Sequence, residues 1–398
     1  MKKMLWDTNR KEIAIMITLL LVLAVLISLP TGFQKQEYRF TEGVRAEVIA
    51  VNNIGINSTG IYKLGDQSAL IHIETGSHKG EQVHASNMLT GSLAVDKLFQ
   101  AGDKAWVLLG FDEGGKINFA NMIDHYRIDK ELLLVGVFAG VIILFSGFTG
   151  VRTLLSFAFA LLSIWKVLIP AMLHGYNPLL LALIVGNVIT IVTLLLVAGF
   201  SSKAYAAIIS AVTCSFATCL LAVVFGKLFN VHGAVMEGAE SLLYAGFMNL
   251  DLTLVFQGGI YLACSGAILD LAIDISSALE EIIHNNPNVT RAELVGSGFN
   301  IGKSIVGSQT TTLLLAYMGS YITIMMVYMA QGTPLMNILN SKPIAAEILH
   351  TFVGCIGLVL VSPLTSVICG FLYEHDPIQR KNSRQTEIDI PKEDRITA

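Results

Sequence analysis

Asp270 and Asp274 are two carboxylates one helical turn apart inside an apolar run, Leu252 to Ile275, that is long enough to cross a bilayer. At helical rise they stand about 6 Å apart along the axis. Acids at that depth need water, a cation or a proton. Steps of four and three residues place them in one stripe: Gly259, Ala263, Gly266, Asp270, Asp274, Ser277, Glu281, His284. The stripe is small at one end and acidic at the other. Beside it Ile260, Ile268, Leu271, Ile275, Leu279 and Ile282 make an apolar face. Gly259, Ala263 and Gly266 suit close approach of another helix backbone, so helix packing is their expected role.

The expected counter-charge is Lys303. It recurs with Asn300, Gly307 and Thr310 on one face of the following segment. Ser277, Asn300, Ser308 and Thr310 would give the helices a polar lining, and Asp270, Asp274 and Lys303 would handle the ion or proton. A structural polar clasp is the ordinary alternative. Glu281 and His284 lie past the apolar run, where hydrated helix ends are the default. Lys166 is expected to snorkel to an interface, and Asn187 to find an interhelical partner. Glu281-x-x-His284 and Glu347-x-x-His350 have a spacing used in di-metal bundles. The predicted topology puts them on opposite sides of the membrane, which leaves Glu347 and His350 as a local polar pair.

These residues sit in a chain of 398 residues, 53% hydrophobic and 14% charged, with mean hydropathy +0.63. That composition defines an integral membrane protein. The five cysteines all fall in apolar runs, so no disulfide framework is expected. About eight spans follow from the apolar runs: 13–29, 132–150, 153–173, 178–199, 204–228, 252–276, 305–330 and 344–372. The first is read as a retained anchor, because no A-x-A-like site follows it.

Arg152, Lys203, Arg291 and Lys303 fall in alternate short connections, on the side of the basic N-terminus. The basic-residue rule then makes both termini cytoplasmic and puts residues 31–128 outside, across a bacterial plasma membrane. Residues 46–51, 69–73 and 105–109 alternate as strands do, with Gly-Asp turns expected at Gly65-Asp66 and Gly102-Asp103. About 90 cysteine-free residues of this kind suggest an OB-like barrel. His72, His78 and His84 are scattered within it, and solvent exposure is their ordinary reading. The stretch 229–250 reads as an interfacial helix. Thr290 and Glu293 have capping-box spacing after the turn 285–288.

The fold class is therefore an α-helical multi-pass membrane protein with a small extracytoplasmic all-β domain after its first helix. Residues 1–30 form the cytoplasmic N-terminus and anchor, 31–128 the β domain, 129–374 a seven-helix membrane domain and 375–398 a disordered tail.

Two blocks carry a family resemblance. Gly258-Gly259-Ile260-Tyr261 runs through Ser265-Gly266-Ala267-Ile268-Leu269-Asp270 to Ser276-Ser277, and Ile301-Gly302-Lys303-Ser304-Ile305-Val306-Gly307 precedes Thr311-Thr312-Leu313-Leu314-Leu315-Ala316-Tyr317. In that order, on adjacent helices, they resemble the YibE/F family of bacterial multi-pass membrane proteins. The resemblance implies a membrane location and a paralogous membrane partner, and it transfers no catalytic residue.

Enzyme apparatus is missing from the sequence. The two acids share one helix, His-Glu-x-x-His and Gly-x-Ser-x-Gly do not occur, and Gly302-Lys303-Ser304 lacks the first glycine of a Walker loop because residue 297 is Ser297. The expected function is a transporter or permease, coupled to a proton or cation through Asp270 and Asp274. It needs no cofactor, metal or nucleic acid, and its partners are the lipid bilayer and a paralogue or second copy. The alternative is a non-transporting membrane scaffold whose outer β domain binds an envelope partner or paralogue.

Overall fold

The computed structural model describes residues 16–33 and 40–374. The predicted tail, 375–398, and the first basic residues lie outside them. The chain divides into two compact units: Thr31–Phe145, and Met1–Pro30 joined with Ser146–Ala398.

The first unit is a barrel of alternating strands: β1 (Thr41–Asn52), β2 (Ile56–Thr59), β3 (Tyr62–Ile73), β4 (Gln82–Thr90), β5 (Lys104–Phe111) and β6 (Ile117–His125). The sheet runs β1-β5-β6-β4-β3, and β1 also pairs with β3, which closes five strands into a ring. β2 adds a short hairpin on β3. The β4–β6 pairing is parallel and the others are antiparallel. This is the strand order of an OB-like barrel. Alternate residues fill the interior: Val44, Ala46 and Val48 of β1, Ile71 and Ile73 of β3, and Val107 and Leu109 of β5.

The three predicted strand runs lie in β1, β3 and β5. Gly102 makes its predicted turn, at φ 93°. Gly65 does not. It sits inside β3 at φ 117°, and a Cβ there would lie 2.0 Å from the Gly55 carbonyl oxygen. Only glycine allows β3 to pass the β2 hairpin so closely. Phe99 plugs the barrel from the segment after β4, held by Gln67, whose Oε1 accepts from Phe99 N at 3.0 Å and whose Nε2 donates to Phe99 O at 3.0 Å.

The helices are α1 (Met16–Ser28), α2 (Ile128–Ser163), α3 (Ile169–Leu173), α4 (Pro178–Ala198), α5 (Ser202–Leu228), α6 (Ala239–Tyr244), α7 (Leu252–Asn285), α8 (Arg291–Ala330), α9 (Leu335–Leu339) and α10 (Lys342–Glu374). Among the described residues five helical stretches are long and apolar enough to cross a membrane: Ile128–Leu173, α4, α5, α7 and α10. α8 makes up to six, as a pair of segments, Arg291–Gly319 and Tyr321–Ala330, bent by 61°. The predicted spans 132–150 and 153–173 fall in one apolar stretch, Ile128–Leu173, in which two helices meet at a kink at Gly147, φ 56° and ψ −128°. A π turn, Ile164–Leu168, joins α2 to α3. The stretch 229–250 holds only a 3₁₀ turn, Gly233–Val235, and α6.

Capping side chains set the helix starts. Asn177 accepts from Leu180 N, Ser201 from Ala204 N, and Asp251 from Thr253 N and Leu254 N. The Thr290–Glu293 capping box forms as its spacing predicts. It starts α8 at Arg291, ahead of the apolar span expected from 305. α7 is the centre of the second unit, packed against α4, α5, α8 and α10. Its apolar face, Ile268, Leu271, Ile275 and Leu279, is fully buried against Leu194, Ala207, Ala211 and Leu358.

Candidate functional site: the acidic face of α7

Burying one face of α7 turns the opposite stripe away from the bundle. Ala263, Gly266, Asp270, Asp274, Glu281 and His284 are exposed on the chain's surface, while Gly259 and Ser277 are half-buried. Among the described residues no ion pair within 4 Å reaches Asp270 or Asp274. Lys303, on α8, is also exposed and also outside any such pair. The expected Asp–Lys bridge is therefore not made within the chain.

Within the chain no helix packs closely on Gly259 or Gly266. Nothing lies within 4 Å of a Cβ built at Gly259 or Gly266. Close approach uses neighbouring glycines on the buried side. At Gly258 a Cβ would meet Ala182 Cβ at 2.9 Å, and at Gly186 it would meet the Tyr261 ring at 2.6 Å. The steric reason is the rotation of α7: its largest apolar side chains claim the interior, and Gly258 rather than Gly259 falls on that face.

The hydroxyls on α8 are satisfied locally. Thr310, Thr311 and Thr312 donate to the carbonyls of Val306, Gly307 and Ser308. Asn300 and Ser308 are exposed, and Thr310 is half-buried. On the surface of a membrane-length helix an acid costs about 2.5–3.5 kcal/mol by insertion scales. The face made by Asp270, Asp274, Lys303, Asn300 and Ser308 thus has the composition of a covered or hydrated surface rather than a lipid-facing one.

Several polar contacts have partners that the sequence does not specify. Lys203 pairs with Glu280 at 3.1 Å, tying the start of α5 to the end of α7. Asn187 finds its partner in Tyr261, whose hydroxyl donates to Asn187 Oδ1 at 3.5 Å and accepts from Ser215 Oγ at 3.3 Å. Lys166 donates to the Leu29 carbonyl at 2.9 Å, so it caps the end of α1.

Glu347 and His350 are more enclosed than expected. Glu347 is 6% exposed. His350 Nδ1 lies 3.8 Å from its Oε2, and the His350 ring lies 4.4 Å from the Tyr317 ring, tilted by 32°. Among the described residues no three His, Cys, Asp or Glu side chains are grouped to hold a metal.

Compared with known proteins, residues 134–375 match the family model described as YibE/F-like protein. No curated protein matches the chain, and no solved structure does.

Proposed function

Since the chain belongs to the YibE/F-like protein family, we propose that it is a plasma-membrane transporter or permease, coupled to a proton or cation through Asp270 and Asp274. The observation that supports this reading is the pair of carboxylates on the outward face of membrane-length α7, without an ion pair among the described residues and flanked by Lys303 and polar α8. A buried clasp would show those acids turned inward and paired. Acids turned outward at membrane depth call for a water-filled path or a covering protein, either a second copy or a YibE/F-type paralogue.

The topology that goes with this reading has both termini cytoplasmic, residues 31–128 outside and eight passes. The run Ile128–Leu173 has 46 residues, about 69 Å of helix. That is enough for two passes of a hydrocarbon core about 30 Å thick if the chain reverses near Gly147.

The test is reconstitution of wild type and Asp270→Asn/Asp274→Asn in liposomes under imposed proton, sodium and potassium gradients. Flux in wild type that is lost in the folded double variant supports the reading. Equal leak in both rejects coupling at these acids.

A second reading, a non-transporting scaffold, is favoured by the outer barrel. Ile54, Ile61, Met88, Leu93 and Val95 are all well exposed there, as on a surface that docks an envelope partner. Deleting the barrel should then abolish the phenotype, while neutral residues at 270 and 274 should preserve it.

A further inference from the structure

Asp274 of α7 and Lys303 of α8 stand at one level of the bundle. A Cβ built at Gly298 lies 3.1 Å from Leu279 Cδ1, and one built at Gly302 lies 3.5 Å from Ile275 Cδ1. A step of four residues back along α7 thus matches a step of four forward along α8, so the two helices run antiparallel in a defined register. Asp274 is the chain neighbour of Ile275, and Lys303 is the chain neighbour of Gly302. Both residues are nevertheless exposed, and among the described residues no ion pair within 4 Å joins them.

The surface around them is small and polar. It continues on α7 through Gly266 and Asp270, and on α8 through Asn300, Ser304, Gly307 and Ser308, all exposed. Nothing lies within 4 Å of a Cβ built at Gly266 or Gly307. Lipid tails favour neither charges nor bare small residues. Helices that pack on each other in a membrane use small residues for close approach and polar ones as bridges.

We infer that this face docks on the same face of a second copy, about a two-fold axis along the membrane normal, and that the partner's Lys303 completes the acidic site. Such an axis keeps every residue at its own depth. Asp274 of one protomer then meets the partner's Lys303, and Lys303 meets the partner's Asp274. The face is self-complementary, because it carries both signs at one level and does not join them within the chain. Each protomer brings two acids and one lysine to it. Asp270, one turn from Asp274, is left over for a proton or cation.

Other coverings answer less of this surface. A lipid phosphate pairs with Lys303 and repels both acids. A path through the middle of one chain needs the acids on the buried side of α7, which Ile268, Leu271 and Ile275 occupy. A paralogue must supply both charges at matching depth, and a second copy carries them already.

The docking rests on the face itself, and only the role left to Asp270 rests on the transport reading above. The experiment is energy transfer between full-length chains carrying donor or acceptor dyes, reconstituted together in liposomes over a range of protein-to-lipid ratios. Wild type should associate. Asp274→Lys alone and Lys303→Asp alone set like charges opposite each other, and each should self-associate at least about tenfold more weakly. A mixture of the Asp274→Lys and Lys303→Asp chains should associate as wild type does, because each then meets the opposite charge on the other. The double exchange in one chain, Asp274→Lys/Lys303→Asp, should self-associate for the same reason. Pairing within a chain predicts no rescue by mixing.

A monomeric wild type, reversed chains that associate like wild type, no rescue in the mixture, or association with a co-expressed paralogue alone would each overturn the inference. If a reversed chain fails to fold, Lys303→Gln takes its place, and wild-type association in that variant overturns the inference. A dimer without flux rejects coupling at the acids and keeps the dimer. Flux from liposomes that hold single chains rejects the completed site and keeps the transport reading.

Discussion

Asn87 donates to Gln67 across the β3–β4 pairing, Nδ2 to Oε1 at 3.0 Å, and the two residues are directly opposite in register. Both are fully buried. Gln67 also holds Phe99 through its main-chain N–H and carbonyl, while Asn87 holds the Lys97 carbonyl at 2.7 Å. Two amides thus fasten the segment after β4 over the end of the barrel. Gln67→Leu strands Phe99 N–H and the Asn87 amide inside the protein. The β barrel should lose on the order of 3 kcal/mol, read as a lower urea midpoint by Trp106 fluorescence with Trp6 and Trp165 replaced by Phe.

The outward face of α7 predicts contact between chains. In a variant whose native cysteines are replaced, Gly266→Cys should cross-link in membranes to a second copy or a co-expressed paralogue. Ile268→Cys, whose parent residue is buried inside the chain, should not. Cross-linking at neither position would leave the face uncovered and count against the oligomeric part of the proposal.

The glycines of α7 should separate by face. A Cβ at Gly258 runs into Ala182 and the Pro178 carbonyl, so Gly258→Leu should lower the melting temperature in detergent and cost about 1–3 kcal/mol. At Gly266 nothing stands in the way. There Gly266→Ala should be neutral or stabilise the helix by up to about 1 kcal/mol. The opposite order would mean that α7 is rotated.

Acid should weaken the β barrel through two carboxylates. A hydrogen bond from Arg127 holds the Asp124 carboxyl below the usual range, and main-chain N–H donation from Thr90 does the same for Asp96. Groups with lowered folded values stabilise the fold while ionised. Their contribution is complete above the unfolded value near pH 4 and is lost as pH falls through the folded values. Unfolding followed from about pH 6 to pH 3 should show the barrel weakening, with a shallower acid slope in Asp124→Asn and shallower still when Asp96→Asn is added. An unchanged slope in the double variant would refute the assignment.

Much of this architecture could be read from pattern alone. Period-two alternation marked β1, β3 and β5, and the capping box marked the start of α8, because both signals are local. The apolar face of α7 was legible for the same reason: Ile268, Leu271, Ile275 and Leu279 recur at helical spacing and are buried. The errors came from non-local facts. Gly65-Asp66 looks like a turn, but the β2 hairpin crossing it makes Gly65 a strand residue. Lys303 has the right charge and side for Asp270, but packing of α7 against α8 leaves both pointing outward. Glu280 and Glu281 are equivalent in sequence, and only the neighbouring α5 decides that Glu280 meets Lys203. The enclosure of Glu347 depends on how α10 packs against its neighbours, which apolar periodicity does not encode.

Closure of the barrel limits how it can recognise anything. Five strands pair around the ring, but β4 and β6 share one register pair, Ser86 with Asn121. A partner could extend the sheet by strand addition along that seam or along the four residues of β2. Elsewhere recognition by this domain falls to side chains and loop tips. Its specificity should be editable one surface residue at a time, without disturbing the backbone that carries them.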